Sequence, residues 1–220
     1  MYRSPCGAAR SVTQRNTVSS EPVRRWDNLS CVERWQDLRE EAEAWTDGRS
    51  PWLRAALLAY LAYAGFNHLI DGFYRSWFAG ITLIFHEMGH IIFSLFGRTL
   101  EILGGSIMQV VVPVAAGAHL LIKQRDFFGV AVCGSWLSFS LWEMGLYIWD
   151  AAREQLPLVG FGGQPHHDWG TLLTQWHVLN HCDHIAFVVR TLAFLVWLAS
   201  VGLGGWLCWR MWLSDRPSVV

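Results

Sequence analysis

An H-E-x-x-H motif at residues 86–90 (HEMGH) is the strongest chemical signal in the chain. On a helix, His86 and His90 lie four residues apart, so both imidazoles project from one face and can bind the same metal ion. Glu87 lies ~100° round the helix from His86, where its carboxylate can take a proton from a metal-bound water. The motif therefore predicts a metal site with His86 and His90 as ligands and Glu87 as the catalytic base.

The motif lies inside an apolar stretch, 77–96 (WFAGITLIFHEMGHIIFSLF), rather than in a soluble amphipathic helix. Such a stretch can cross a bilayer, which takes ~20 residues. A charged side chain in the centre of a membrane helix costs roughly 2.5–3.5 kcal/mol by insertion scales. Polar residues in this position are therefore functional candidates.

The composition is that of an integral membrane protein. Of 220 residues 52% are hydrophobic and 16% are charged, and there are 14 Trp and 12 Phe. The net charge of −1 indicates no nucleic-acid partner. The five cysteines form no C-x-x-C pair, so a thiolate zinc site is not indicated.

Long apolar segments separated by short polar ones predict an all-α fold, a polytopic membrane helical bundle embedded in the lipid bilayer. There are five such segments: 52–70, 77–96, 103–122, 127–149 and 185–208. We divide the chain into a disordered tail, an amphipathic interfacial helix, a membrane domain and a short C-terminal tail, at 1–25, 26–50, 51–213 and 214–220.

The distribution of Lys and Arg predicts the orientation. Nine of the 17 precede or open the first segment, which predicts a cytoplasmic N-terminus. The second segment then returns to the cytoplasm, which makes the first two segments a transmembrane hairpin and places His86 and His90 toward the cytoplasmic end. The third segment contains Gly104-Gly105-Ser106 and Pro113, so it is either broken and re-entrant or it crosses. If it crosses, the polar stretch 150–184 lies on the same side of the membrane as the motif.

A catalytic zinc site usually has three protein ligands and one open position, so a third ligand is needed. The candidates fall in residues 166–184. One cluster is His166, His167 and Asp168, and a second, spaced i, i+4, i+7 on one helix face, is His177, His181 and His184. The residues alone leave these alternatives open.

Three features together resemble the site-2 protease family of intramembrane zinc metalloproteases: the motif in a membrane helix, an apolar segment broken by Gly-Ser after it, and the late sequence Asp168-Trp169-Gly170. The resemblance covers 77–175. In that family an Asp in a late L-D-G motif is the third ligand. The resemblance therefore implies Asp168 as third ligand, Zn²⁺ as cofactor and a metallopeptidase-like domain at 51–213.

The same resemblance implies a zinc metalloendopeptidase that hydrolyses peptide bonds of membrane protein segments with zinc-activated water. Ser106 and Gln109 are candidate substrate-binding residues, since both could donate hydrogen bonds to a substrate carbonyl. The alternative is a non-proteolytic zinc-binding membrane scaffold or sensor. It is favoured by Trp169, which stands where the family has Gly, and by the lack of a strict N-x-x-P sequence.

Three further polar residues lie in the apolar segments outside the motif. Glu143 needs a partner there, and Arg190 is interpreted as snorkelling to the interface or as part of a buried ion pair. His68, near the end of the first segment, is interpreted as interfacial.

Overall fold

The computed structural model describes residues 30–157 and 167–215. The predicted disordered tail 1–25, the first residues of the predicted amphipathic helix and His166 lie outside the described residues. Within the described ranges the protein is all-helical, which confirms the predicted fold class. The seven α-helices described are α1 (Cys31–Thr46), α2 (Trp52–Ile70), α3 (Phe78–Phe93), α4 (Arg98–His119), α5 (Phe127–Asp150), α6 (Asp168–Gln175) and α7 (Cys182–Ser214).

Four helical runs are long and apolar enough to span a membrane: Phe78–Phe96, Arg98–Gln124, Phe127–Asp150 and Leu179–Ser214. They indicate a membrane protein. The predicted first span, α2, does not reach this standard, because its 19 residues include Arg54, Asn67 and His68.

The third apolar segment is one continuous helix. Helix α4 runs through Gly104-Gly105-Ser106 and Pro113 to His119 and continues as a π-turn over Leu120–Gln124. The broken or re-entrant alternative is therefore wrong. Glycine and proline are tolerated inside membrane helices where a neighbouring helix covers them, and Gly104, Gly105 and Pro113 are all buried.

Helices α5 and α7 form the antiparallel centre of the bundle. The Ser138 hydroxyl donates to the Ala193 carbonyl at 2.9 Å, and a Cβ on Gly134 would lie 2.3 Å from Ser200 Oγ. Phe139, Trp142 and Ala193 meet in a core cluster with Leu61 and Ala64 of α2.

Helix α3 is antiparallel to α4 and parallel to α5. A Cβ on Gly89 would lie 2.2 Å from the Gly104 carbonyl oxygen, so the two backbones touch where glycine faces glycine. Along α5, Thr82 Oγ1 lies 3.4 Å from Ser140 Oγ. Further along, the His86 ring lies 6.5 Å from the Tyr147 ring.

Helix α2 runs in the same direction as α3, so the predicted hairpin of the first two segments is wrong. Leu58 contacts the position of Gly204, and the Leu61 carbonyl accepts from Trp197 Nε1 at 3.1 Å. Partner numbers in α7 fall as α2 advances, so α2 is antiparallel to α7 and parallel to α5.

The connection 71–77 lies beside the middle of α5. His68, near the end of α2, and Phe78, at the start of α3, both lie against Phe139, at 5.4 and 5.7 Å between ring centroids. Helices α2 and α3 therefore follow the length of α5 one after the other, in the same direction.

These directions define two ends of the bundle. The site end holds the end of α3, the start of α4, the end of α5 and the start of α7. The opposite end holds the start of α2, the end of α4, the start of α5 and the end of α7. From Leu38 onward α1 packs at the opposite end, where Glu41 pairs with Arg125 at 3.0 Å and Glu43 with Arg210 at 3.1 Å.

Candidate metal centre

Helix α3 presents the two histidines as the spacing predicts. His86 is buried and His90 is half-buried, and their Nε2 atoms lie 3.0 Å apart. A Cβ on Gly105 would lie 2.6 Å from the His86 ring. The small residue on α4 therefore makes the room that the His86 imidazole occupies.

Asp168 reaches the histidines from the first turn of α6. Its Oδ2 lies 3.1 Å from His86 Nε2 and 3.3 Å from His90 Nε2. The backbone N–H of Asp168 donates to the Tyr147 hydroxyl at 3.1 Å. His167 caps the start of the helix, since its Nδ1 accepts from the Gly170 N–H at 3.0 Å.

The other nitrogen of each histidine determines its tautomer. His86 Nδ1 lies 2.9 Å from Gln109 Oε1, and His90 Nδ1 lies 2.8 Å from the Glu101 carbonyl oxygen. Both partners are acceptors, so each neutral ring carries its hydrogen on Nδ1 and leaves a lone pair on Nε2. Two imidazole lone pairs and a carboxylate oxygen then converge, and their repulsion is offset by either a proton or a metal cation between them.

The three converging atoms have the spacing of metal ligands. Their separations are 3.0, 3.1 and 3.3 Å. Ligands ~2.0–2.2 Å from a tetrahedral zinc ion stand ~3.3–3.6 Å apart, so small shifts suffice to seat an ion and leave one position open. The buried group His86, His90 and Asp168 can therefore bind a metal ion.

The charge of Asp168 suits this role. Burial raises the pKa of its carboxyl group, but hydrogen bonds from His86 and His90, when these carry a proton, outweigh burial and lower the pKa to about 2. The carboxylate is therefore ionised at neutral pH and offers an anionic oxygen to a cation.

The other candidate third ligands lie outside this group. His167 is engaged as the cap of α6, stacks on Tyr147 at 4.2 Å and has its Nε2 3.4 Å from Asp150 Oδ2. Its pKa is lowered by burial, which the nearby Asp150 carboxylate partly offsets. The three histidines of the second cluster, His177, His181 and His184, are exposed. Among the described residues, the metal-competent group contains none of them.

Ser106 and Gln109, predicted to bind substrate, both contact residues of the site, and their role toward a substrate stays a prediction. Gln109 orients His86, and the Ser106 hydroxyl accepts from Trp169 Nε1 at 3.1 Å. Trp169 thus links α6 to α4 beside Asp168. This hydrogen bond gives a structural role to Trp169, which stands where the site-2 protease motif has Gly.

Sequence reasoning missed Tyr147 and the Glu101 carbonyl as supports of the site. Tyr147 is one aromatic among many in an apolar segment, and no spacing rule marks it. The Glu101 support is a backbone carbonyl, which every residue has, so the residue type does not reveal it. The Glu101 side chain pairs elsewhere, with Arg98 at 3.1 Å.

Glu87 is half-buried next to His90 on α3. The side chain of His90 is 23% exposed, against 10% for His86 and 7% for Asp168, so the group is most accessible from the His90 side. The catalytic-base candidate therefore lies on the accessible side of the metal group.

No family model, curated protein or solved structure matches this chain. A functional assignment depends on the geometry of the site and on the resemblance seen in the sequence.

Proposed function

We propose that this chain is a divergent relative of the site-2 proteases, a zinc metalloendopeptidase that hydrolyses peptide bonds of membrane protein segments. The observation that carries the proposal is the convergence of His86, His90 and Asp168 at ligand spacing, with Glu87 adjacent. Two imidazole nitrogens and one carboxylate oxygen form a ligand set that suits catalytic zinc, in which a fourth position stays open.

Each residue has a defined task in this reaction. When bound, zinc acts as a Lewis acid that polarises the scissile carbonyl and lowers the pKa of a coordinated water. Glu87 accepts the proton of the attacking water on its carboxylate and passes it to the leaving amine. Gln109 and the Glu101 carbonyl hold the two imidazoles in the tautomer that exposes Nε2.

The surface of α3 supports a substrate that arrives from within the membrane. Ile84, Met88 and Ile91 are 57%, 43% and 71% exposed along the helix that carries the motif. An apolar peptide segment can lie along this face and reach the group from the side of His90.

The proposal is tested with Glu87→Gln. The purified protein is incubated with candidate membrane substrates, products are identified by mass spectrometry, and bound metal is measured by elemental analysis. We expect Glu87→Gln to retain zinc and lose cleavage, and Asp168→Ala to lose both. Glu101→Gln is the matched control, because only the backbone of Glu101 contacts His90. Identical products from wild type and Glu87→Gln would reject proteolysis.

A zinc-binding scaffold or sensor is the second candidate function, and one observation favours it. A substrate helix must unwind to be cut, and an extended segment needs a strand or broken helix to pair with. Helix α4, which carries Gly104-Gly105-Ser106 beside the motif, is continuous, and the described ranges hold no strand. If Glu87→Gln retains both zinc and the cellular function of the protein, the scaffold is the correct assignment.

We further infer that the site end faces away from the cytoplasm, opposite to the expectation from sequence. Of the ten Lys and Arg in residues 38–215, six lie at the opposite end, two lie at the site end, and Arg75 and Arg190 lie between the ends. The six are Arg39, Arg49, Arg54, Lys123, Arg125 and Arg210, and the two are Arg98 and Arg153. Positive residues favour the cytoplasmic side, and the shared direction of α2 and α3 puts the motif on the other side.

A further inference from the structure

A cavity of about 330 Å³ lies between the end of α2, the connection 71–77, and helices α5 and α7. This volume falls at the lower end of small-molecule sites. The ligands proposed for the metal centre do not line it. Its walls combine the aromatic rings of Trp142, Phe187 and Phe194 with three polar side chains, those of His68, Arg190 and Thr191.

Arg190 is half-buried, and its guanidinium makes no ion pair or hydrogen bond with the described residues. The aliphatic part of the side chain crosses Gly145, and Nη2 lies 2.9 Å from where a Cβ on Gly72 would stand. Of the two interpretations of Arg190 from sequence, the buried ion pair is absent from the described ranges. Asp71, the residue that follows α2, accepts instead from the Phe73 N–H at 2.9 Å.

His68 is the second polar group of the cavity. It is only 6% exposed, so its interpretation as an interfacial residue is wrong. Its ring stacks on Trp142 at 5.2 Å and on Phe139 at 5.4 Å, and its Nε2 has no hydrogen-bond partner in the described part of the chain. Buried polar atoms usually have a partner, so this nitrogen remains available to one.

The mouth of the cavity lies on an apolar surface. Phe187 and Leu69 line the cavity and are 71% and 46% exposed, and Thr191 beside them is exposed. Val188 and Leu192 of α7, next to the mouth, are 65% and 51% exposed. In a membrane this surface faces lipid, so a ligand enters from the bilayer rather than from water.

We propose that the cavity binds an anionic amphiphile, with Arg190 pairing with its carboxylate or phosphate headgroup, His68 hydrogen-bonding to the same group, and Trp142, Phe187 and Phe194 contacting its acyl chain. Arginine matches both kinds of headgroup because its planar fork binds carboxylates and phosphates in a bidentate manner. The proposal uses other residues than the candidate metal centre, so either can fail without the other.

The test is photo-crosslinking of the purified full-length protein with two diazirine-bearing probes, oleic acid and oleoyl lysophosphatidic acid. We expect crosslinks in peptides containing 68–72 or 187–194, and we expect Arg190→Gln to reduce labelling roughly tenfold or more. The two probes show whether a carboxylate or a phosphate is preferred. Arg210→Gln is the matched control, because Arg210 lies on the same helix but at the opposite end, paired with Glu43.

A second variant keeps the charge and changes only the space. Gly72→Ala puts a methyl group against the guanidinium and is expected to weaken labelling while Arg190 remains. Bound zinc and the thermal unfolding midpoint monitor folding of both variants. Labelling of Arg190→Gln and Gly72→Ala at the wild-type level, or crosslinks confined to other peptides, would overturn the proposal. Competition by acetate or inorganic phosphate as strong as that by unlabelled oleate would also overturn it, since the acyl chain would then contribute nothing.

Discussion

At the scale of single residues, metal binding by His86, His90 and Asp168 depends on which neighbouring atoms accept hydrogen bonds. The spacing of His86 and His90 brings their Nε2 atoms together, but Gln109 and the Glu101 carbonyl decide that these atoms present lone pairs. Such supporting hydrogen bonds orient a ligand and raise its basicity. The effect of each support is therefore measurable as a change in metal affinity.

Gln109→Leu removes the acceptor of His86 Nδ1–H at nearly constant volume. The imidazole is then free to rotate and to place its hydrogen on Nε2, so we expect zinc affinity to fall ~10–100-fold. Competition with a chelator of known affinity measures the change. Gln124→Leu, an exposed glutamine at the opposite end, is the control. Equal affinities for the two variants would contradict the role of Gln109.

At the scale of helices, the metal centre requires α3 and α4 to touch. Gly89 and Gly104 meet backbone to backbone, and Gly105 makes room for the His86 ring. A glycine pair inside one apolar segment can mark a break or a close contact. The local sequence cannot distinguish these, because the choice depends on whether another helix covers the pair.

Gly89→Ala tests this contact. The added methyl group would lie 2.2 Å from the Gly104 carbonyl oxygen, so the helices must separate. We expect a loss of ~1–3 kcal/mol in stability, as for other overpacked cores, together with weaker zinc binding. Thermal unfolding in detergent and metal analysis measure the two effects.

Gly80→Ala on the same helix is the matched control, since a Cβ there meets nothing within 4 Å. We expect it to be neutral or to stabilise the protein by up to ~1 kcal/mol through helix propensity. If both alanines behave alike, the close contact of α3 and α4 does not support the site.

At the scale of the whole molecule, the direction of α2 changes the side on which the site lies. Two consecutive apolar segments predict a hairpin, yet α2 and α3 point the same way and meet beside the middle of α5. The Trp77 N–H donates to the Tyr60 hydroxyl at 2.9 Å, so the connection turns back along α2 before α3 begins.

Single cysteines in a cysteine-free background test the resulting orientation. His177→Cys lies at the site end and Lys123→Cys at the opposite end, and both positions are exposed. We expect a membrane-impermeant maleimide to label His177→Cys in intact cells and Lys123→Cys only after permeabilisation. The reverse pattern would place the site on the cytoplasmic side.

The sequence by itself determined the local features of this protein. Apolar segment length determined the all-α fold, and the four-residue spacing determined that His86 and His90 share a face, because both follow from the geometry of one helix. Asp168 was reached only through a family resemblance, since it lies 82 residues beyond His86.

Only the tertiary structure decided what depends on packing between distant segments. It brought Asp168 to the histidines, gave Gln109 and Trp169 positioning roles, kept α4 unbroken, and set α2 parallel to α3. The physical reason is the same in each case. Which residues meet across helices is decided by how all the helices of the bundle pack together. The periodicity within one segment carries no information about these contacts.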